Sequence, residues 1–390
     1  MQLTLVLIVW RLSLFIIAAI GSRLVPFSPT FPYSDIYLLP TRLPQWIWAW
    51  ANFDGVHYLT IAGHGYMAQF TQAFFPLFPL LVKAVSYFFR DKYMIVSGLF
   101  LTFLLLGGSL QMFKQLLELD YKEAEIRQII MIFLLFPTSF FFGALYSEPM
   151  FFLLTAAAFW FARKEKWWLS GVCGLFAAAT RITGILLLPA LLWEWHYGNL
   201  QSPKKLSSFN KFILKTIHEA LYALQSPITY LVPLGLILYM VYLQITFGDA
   251  LYFWHAQSAF GAARSGSGII LLPQVVWRYL KILFSAGINS SAYWSAFLEL
   301  TSFTVAAILL LVAGRLKVRS SYLIFGWLVL LIPTLTGTLS SMPRYILLAF
   351  PIFIPLGLIK NKRYYYLACM ISGLILILLT ARFIQGQWVA

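Results

Sequence analysis

Apolar residues run through this chain in blocks close to twenty long, and polar residues gather in the gaps between them. At 1.5 Å per residue such a block matches a hydrocarbon core of about 30 Å, so each reads as a membrane-crossing helix. Strands of a membrane barrel would instead alternate apolar and polar positions in short segments. The blocks predict spans at 3–22, 93–113, 128–145, 149–162, 167–181, 183–197, 227–247, 292–313, 321–338, 343–359 and 364–382. Two further apolar segments differ. Phe74 to Phe89 would reach only about 24 Å as a helix, and Phe75-Pro76-Leu77-Phe78-Pro79 breaks its start. Residues 269–287 place Arg278 and Lys281 at i, i+3 on an apolar background, which suits a helix lying in an interface. The expected protein is therefore an all-α polytopic membrane protein. About 11 transmembrane helices and interfacial helices in the first outer loop form one integral membrane domain over residues 1–390.

Charge sets the expected orientation. Arg163-Lys164-Lys166, Lys204-Lys205-Lys211-Lys215, Arg315-Lys317-Arg319 and Lys360-Lys362-Arg363 fall between spans and are assigned to the cytoplasm, as are Lys114, Lys122 and Arg127. This puts the N-terminus inside and the C-terminus outside, with two large outer loops, 23–92 and 248–291. Only 11% of residues are charged, against about a quarter in soluble domains. The net charge of +15 is thus explained by cytoplasmic loops, not by a nucleic-acid partner. Residues 3–22 lack a small-residue cleavage site and read as a retained span. Cys173 and Cys369 lie in apolar runs and read as packing residues. The acceptable setting for such a chain is a bacterial or archaeal plasma membrane, with chemistry on the outer face.

With 13 acids in the whole chain, an acid in a polar outer loop stands out. Asn52-Phe53-Asp54-Gly55-Val56-His57-Tyr58, followed by His64, supplies a carboxylate and two histidines, and no opposite fixed charge lies within four residues of Asp54. His57, at i+3, shares a helix face with Asp54 within hydrogen-bonding reach. Tyr146-Ser147-Glu148, Thr180-Arg181-Ile182-Thr183 and Ser341-Met342-Pro343-Arg344-Tyr345 fall on the same face. Arg181 and Arg344 suit a phosphate, which guanidinium groups grip bidentately, and equally suit snorkelling at helix ends. Glu148, just before Pro149, suits either a helix N-terminus or a substrate hydroxyl. His64 beside Gly65 suits a turn; with Tyr345 it completes the candidate substrate-binding set. Asp54, His57 and His64 offer ligand types for a divalent cation at a spacing that specifies none, so no metal or cofactor is assigned.

These segments resemble the PIG-V family of mannosyltransferases and their prokaryotic relatives. The resemblance rests on residues 52–58 with Ile61-Ala62 and Gly65-Tyr66, on Ala73-Phe74-Phe75-Pro76-Leu77-Phe78-Pro79-Leu80, on Phe136-Pro137-Thr138-Ser139 through Pro149, and on Ala179-Thr180-Arg181 with Thr183-Gly184. Ser341–Tyr345 and the closing Gly386-Gln387-Trp388-Val389-Ala390 extend it along nearly the whole chain. The family usually has Trp before the aspartate; here the residue is Phe53.

The resemblance implies a GT-C glycosyltransferase fold. It implies a hexosyl, usually mannosyl, unit taken from a polyprenyl-phosphate donor on the non-cytoplasmic side with inversion, and an essential first-loop acid at Asp54. Asp54, His57 and Glu148 are then the catalytic candidates, and Arg181, Arg344, His64 and Tyr345 the substrate-binding ones. The implied acceptor is a glycolipid, glycan or protein among membrane lipids. A lipid-linked donor removes the need for an Asp-x-Asp metal motif, and the sequence has none. The rival readings are a lipid or glycan transporter or flippase, which would show repeated halves and broken helices, and a membrane scaffold without chemistry.

Overall fold

The computed structural model of the protein describes residues 2–24, 26–89, 93–197, 224–260, 264–265 and 268–389. The Lys204-Lys205-Lys211-Lys215 cluster lies outside the described residues. Among those described there are helices and no strand. The principal helices are α1 (Leu3–Leu24), α2 (Asp54–His64), α3 (Leu77–Phe88), α4 (Met94–Leu117), α5 (Glu123–Leu134), α6 (Glu148–Arg163), α7 (Trp167–Thr180), α8 (Leu187–Tyr197), α9 (Pro227–Phe247), α10 (Leu272–Ser285), α11 (Ser291–Arg315), α12 (Ser320–Leu331) and α13 (Lys362–Ile384). Five of them, α1, α4, α9, α11 and α13, are long and apolar enough to cross a membrane. With the shorter apolar helices they make a multi-pass membrane protein.

The two segments expected at interfaces are short helices. The 12 residues of α3 begin directly after Pro76, and its Pro79 sits in the first turn, where no backbone N–H is needed. The 14-residue α10 buries Val275 and Tyr279 while Trp277 and Phe284 stand exposed.

Two expected spans are not continuous helices. Residues 128–145 form a helix only as far as Leu134; beyond it come Pro137, a 3₁₀ turn at Ser139–Phe142 and irregular backbone up to Glu148. Residues 343–359 form a single turn at Met342–Tyr345, a 3₁₀ turn at Phe350–Ile352 and a short helix at Phe353–Gly357. Prolines 137, 343, 351 and 355 each remove a donor from the helical ladder. Non-helical backbone at membrane depth survives only where protein covers it, and here it is covered. Residues 139–152 are all buried. Thr138 Oγ1 donates to the Pro343 carbonyl at 2.6 Å, joining the two broken segments directly.

Aromatic rings fill the space around them. Phe133 packs on Phe142, Phe152 and Phe353 at 4.9–5.0 Å between centroids. A second group converges on Phe383 near the end of α13, with Phe53, Phe140 and Phe141 within 5.8 Å. Arg11, inside α1, is buried against the rings of Phe15 and Trp50, its guanidinium 4.3 and 4.8 Å from their centroids. The chain end folds back on the N-terminal loop: Ser28 and Thr30 N–H groups donate to the Gln385 and Gly386 carbonyls, and Gln385 Nε2 donates to the Gly21 carbonyl at 2.6 Å. Gly386, at φ 77°, leaves no room for a side chain, since a Cβ would stand 2.8 Å from Pro29 Cα.

At the far end of α6 a separate ionic knot joins four segments. Arg163 binds Asp120 through both terminal nitrogens at 2.7 and 2.9 Å and donates to Tyr322 Oη at 2.8 Å. Arg319 and Ser321, on the N-terminal side of α12, both donate to Glu194 of α8.

Helices α7 and α9 pack through small residues, which let backbones approach without a side chain between them. A Cβ on Gly235 would stand 2.0 Å from the Leu175 carbonyl oxygen, and one on Gly174 would stand 2.5 Å from Val232 Cγ2. Gly235→Ala is therefore expected to force the pair apart and cost about 1–3 kcal/mol. Thermal unfolding of the detergent-solubilised protein would show it as a lowered Tm; an unchanged Tm would mean that the contact is not tight.

Candidate active site

Asp54 is the first residue of α2, and the turn that places it is strained. Phe53, just before it, has φ 56° and ψ −115°, a backbone region that β-carbon residues rarely enter. The strain is held from several sides. The Phe53 ring packs against Phe31 at 4.5 Å and Trp388 at 5.6 Å. Tyr146 Oη donates to the Asn52 carbonyl at 3.1 Å and accepts from the Asp54 N–H at 3.3 Å, clamping the turn from both ends. Asn52 Nδ2 donates to the Phe383 carbonyl at 2.7 Å, and the Leu145 N–H to the Trp50 carbonyl at 2.9 Å. The first-loop motif and the broken segment before α6 are thus one unit.

Glu148 begins α6 as Asp54 begins α2, so both carboxylates lie at positive helix ends. Opposite them stand the two arginines. Arg344 Nη1 is bonded to Asp54 Oδ2, and its Nε lies 3.5 Å from Glu148 Oε1. Arg181, where the helix α7 ends, donates to the same Glu148 Oε1 at 2.6 Å and to Ser147 Oγ at 3.1 Å. Ser147 Oγ is in turn 2.9 Å from Tyr58 Oη of α2. Glu148 is fully buried and Arg344 nearly so, while the Asp54 side chain keeps 22% of its exposure, toward the cavity it lines. Among the described residues Glu148 Oε2 is buried without a hydrogen-bond partner. Ser341, three residues before Arg344, also adopts a left-handed conformation (φ 65°), so both members of the central pair follow an unusual turn.

The remaining candidates separate. Tyr345 lies within 6 Å of both guanidinium groups, 5.8 Å for Arg181 and 5.7 Å for Arg344. His57 lines the same cavity but makes no hydrogen bond to Asp54. Its ring instead stacks on Phe74 at 4.8 Å and meets Phe260 edge-on at 5.4 Å. That aromatic slot, not the carboxylate, sets its orientation. His64 ends α2 exposed and is not among the cavity-lining residues. Asp249, in the other loop, is exposed and pairs with His255 at 2.7 Å, away from the site.

The cavity has a volume of about 790 Å³, within the usual range for small-molecule sites. Its wall includes residues that the sequence reading passed over. Glu299 is buried in the middle of α11 and accepts a hydrogen bond from Tyr279 of α10. Tyr279 Oη also meets Thr338 Oγ1 at 2.9 Å and accepts from the Leu339 N–H at 3.0 Å. Ser341 and Trp388 line the same cavity wall as Glu299. The available signal was an acid within an apolar span, a place where charge is rare and functional. Arg264 and Arg278 line the cavity as well.

Buried carboxylates and guanidinium groups, brought together where helices break and facing a cavity, define a multi-pass membrane protein with a polar ligand site. The chain belongs to the mannosyltransferase (PIG-V) family, whose sequence model matches residues 3–250. It is 29% identical to mouse GPI alpha-1,6-mannosyltransferase 2 over 172 residues, which cover 42% of this chain and 35% of that protein. The rat protein of the same name is 28% identical over 206 residues, 50% and 41% of the two chains, and the human one 28% over 163 residues, 39% and 33%. The chain thus spans less than half the length of these curated relatives. No solved structure matches it. The family match includes Asp54, His57, Glu148 and Arg181 and stops before Glu299 and Arg344, so the fold alone brings those two to the site.

Burial lowers the His57 pKa from its ordinary 6.5, and the nearby Asp54 charge offsets this only in part. The unfolded chain therefore takes up a proton at a higher pH than the native one, and His57 erodes stability as pH falls below about 6.5. Thermal melts at pH 7.5 and 5.5 should show a smaller loss for His57→Gln than for the wild type. Equal losses would mean that His57 titrates freely.

Proposed function

We propose that this protein is a glycosyltransferase that moves a mannosyl unit from a polyprenyl-phosphate donor to an acceptor hydroxyl on the non-cytoplasmic side of the membrane, with inversion. The observation that carries the reading is Asp54, held by a strained turn, bonded to Arg344 and open to the cavity. The family supplies the sugar and the reaction type; the donor carrier, the sidedness and the inversion come from the resemblance to GT-C enzymes. The acceptor is a glycolipid, glycan or protein hydroxyl.

In the reaction, the acceptor oxygen attacks the anomeric carbon, its proton passes to Asp54, and the bond from that carbon to the phosphate oxygen breaks, releasing lipid monophosphate. A hydroxyl is a weak nucleophile, so the base matters most as the new bond forms. Glu148, with one oxygen shared between Arg181 and Arg344, keeps the two arginines in place, and its free oxygen offers an acceptor for a sugar hydroxyl. Negative charge growing on the leaving phosphate is stabilised by fixed cations in a water-poor cavity. His57, neutral in its aromatic slot, shapes the wall beside Asp54.

Two measurements test this. Asp54→Asn keeps the size of the side chain but cannot accept the proton; transfer from a polyprenyl-phospho-mannose donor should fall about 10²–10⁴-fold. Asp249→Asn, outside the cavity, should cost much less. Near wild-type transfer by Asp54→Asn would remove Asp54 as the base. For sidedness, Cys173 and Cys369 are first replaced. A cysteine at exposed position 64 or 258 should then label from outside with an impermeant thiol reagent, and one at Lys164, beyond the far end of α6, should not. Labelling of position 164 in intact cells would reverse the topology.

A further inference from the structure

The cavity has a second set of cations, beyond the reach of the family match. Arg264 donates to Gln257 Oε1, an uncharged oxygen, at 3.2 Å, and Arg278 Nη1 donates to the Gly337 carbonyl at 3.2 Å. Arg344 and Arg181 are committed differently, to Asp54 and Glu148. Arg264 nevertheless lines the same cavity as those two, with Tyr345 and Glu299 in the same wall. Among the described residues around this cavity, four arginines stand against three carboxylates, Asp54, Glu148 and Glu299, which leaves positive charge in surplus. Surplus cation in a confined, poorly hydrated space favours an anionic ligand.

The second observation concerns the wall. Helix α10 carries Arg278 and Tyr279 on the cavity side, while Trp277 and Phe284 are 60% and 88% exposed. A helix of that kind lies at a membrane boundary, the depth at which a lipid's phosphate is found. Beside Arg278 the cavity wall continues through Ile282, Ala292, Ser295 and Ala296, which are apolar or small.

We propose that Arg264 and Arg278, with the Tyr345 hydroxyl, form an anion subsite for the phosphodiester of an isoprenoid-lipid-linked sugar, the lipid tail leaving along α10 and the first turns of α11. This rests on the polyprenyl-phosphate reading above and moves the main phosphate contact away from Arg344 and Arg181. Those two then serve to fix the carboxylates, and Arg264 is free to exchange Gln257 for a phosphate oxygen.

The test uses the full chain in lipid nanodiscs with three probes: a polyprenyl monophosphate, the corresponding polyprenol and inorganic phosphate, with binding read by native mass spectrometry. The wild type should bind the polyprenyl monophosphate far better than either of the others, since charge and tail are both read. Arg264→Gln and Arg278→Gln should each weaken that binding roughly tenfold to a hundredfold, as expected for one lost charge-assisted contact. Arg264→Lys, which keeps the charge and guards against a folding defect in the glutamine variant, should retain most of it. In turnover the two glutamine variants should raise the donor KM more than they lower kcat. Wild-type binding that survives both glutamine substitutions within about twofold overturns the subsite and leaves the donor reading intact. A wild-type protein that ignores polyprenyl monophosphate but transfers mannose from another donor overturns both. Equal binding of inorganic phosphate would assign the arginines to a free anion and overturn the lipid part.

Discussion

The site depends on charge compensation inside a poorly hydrated interior. Asp54, Arg344, Glu148 and Arg181 come from four separate stretches of the chain, and none is tolerable there alone. Removing one partner from such a buried set typically costs about 3–5 kcal/mol, because it strands the other charge. Each of the four is therefore tied to the placement of the other three, and the stretches that carry them are tied together as well. The cost is visible in the backbone. Phe53 and Ser341 accept strained conformations, and two membrane-depth segments give up regular helix, so that the four side chains can meet.

Much of the scaffold was legible in the amino-acid sequence. The long apolar blocks at α1, α4, α9, α11 and α13 became the long helices, because length and hydropathy are local properties. The Asp54 loop stood out because acids are so scarce. What could not be read was pairing at a distance. No opposite charge lies within four residues of Asp54 in sequence, whereas its partner Arg344 lies 290 positions along the chain. Similarly, Glu299 was absorbed into an apolar span. Its neighbours Tyr279, Ser341 and Trp388 are far away in sequence, and only the fold shows that it faces the cavity.

Broken helices were expected of a transporter, a reading set aside on the missing repeat and the placement of charge. They are present at 135–147 and 332–357, next to the site. The same physics serves both classes. A polar ligand at membrane depth needs backbone and charged groups that an uninterrupted helix would hide, and proline-interrupted segments covered by protein provide them. The family, rather than this architectural trait, separates the two classes.

The ionic knot at Arg163 acquires meaning from its position on α6. That helix begins at Glu148 in the site and ends at Arg163, bonded to Asp120 and Tyr322 and beside Glu194. It is pinned by charge at both extremities, as a strut between two fixed bearings. A strut cannot also be a hinge. Whatever breathing the cavity has falls instead to walls not pinned by charge at both ends, such as the aromatic slot of Phe74 and Phe260. The protein is thus mechanically divided between a spine fixed at both ends and a flank that is not.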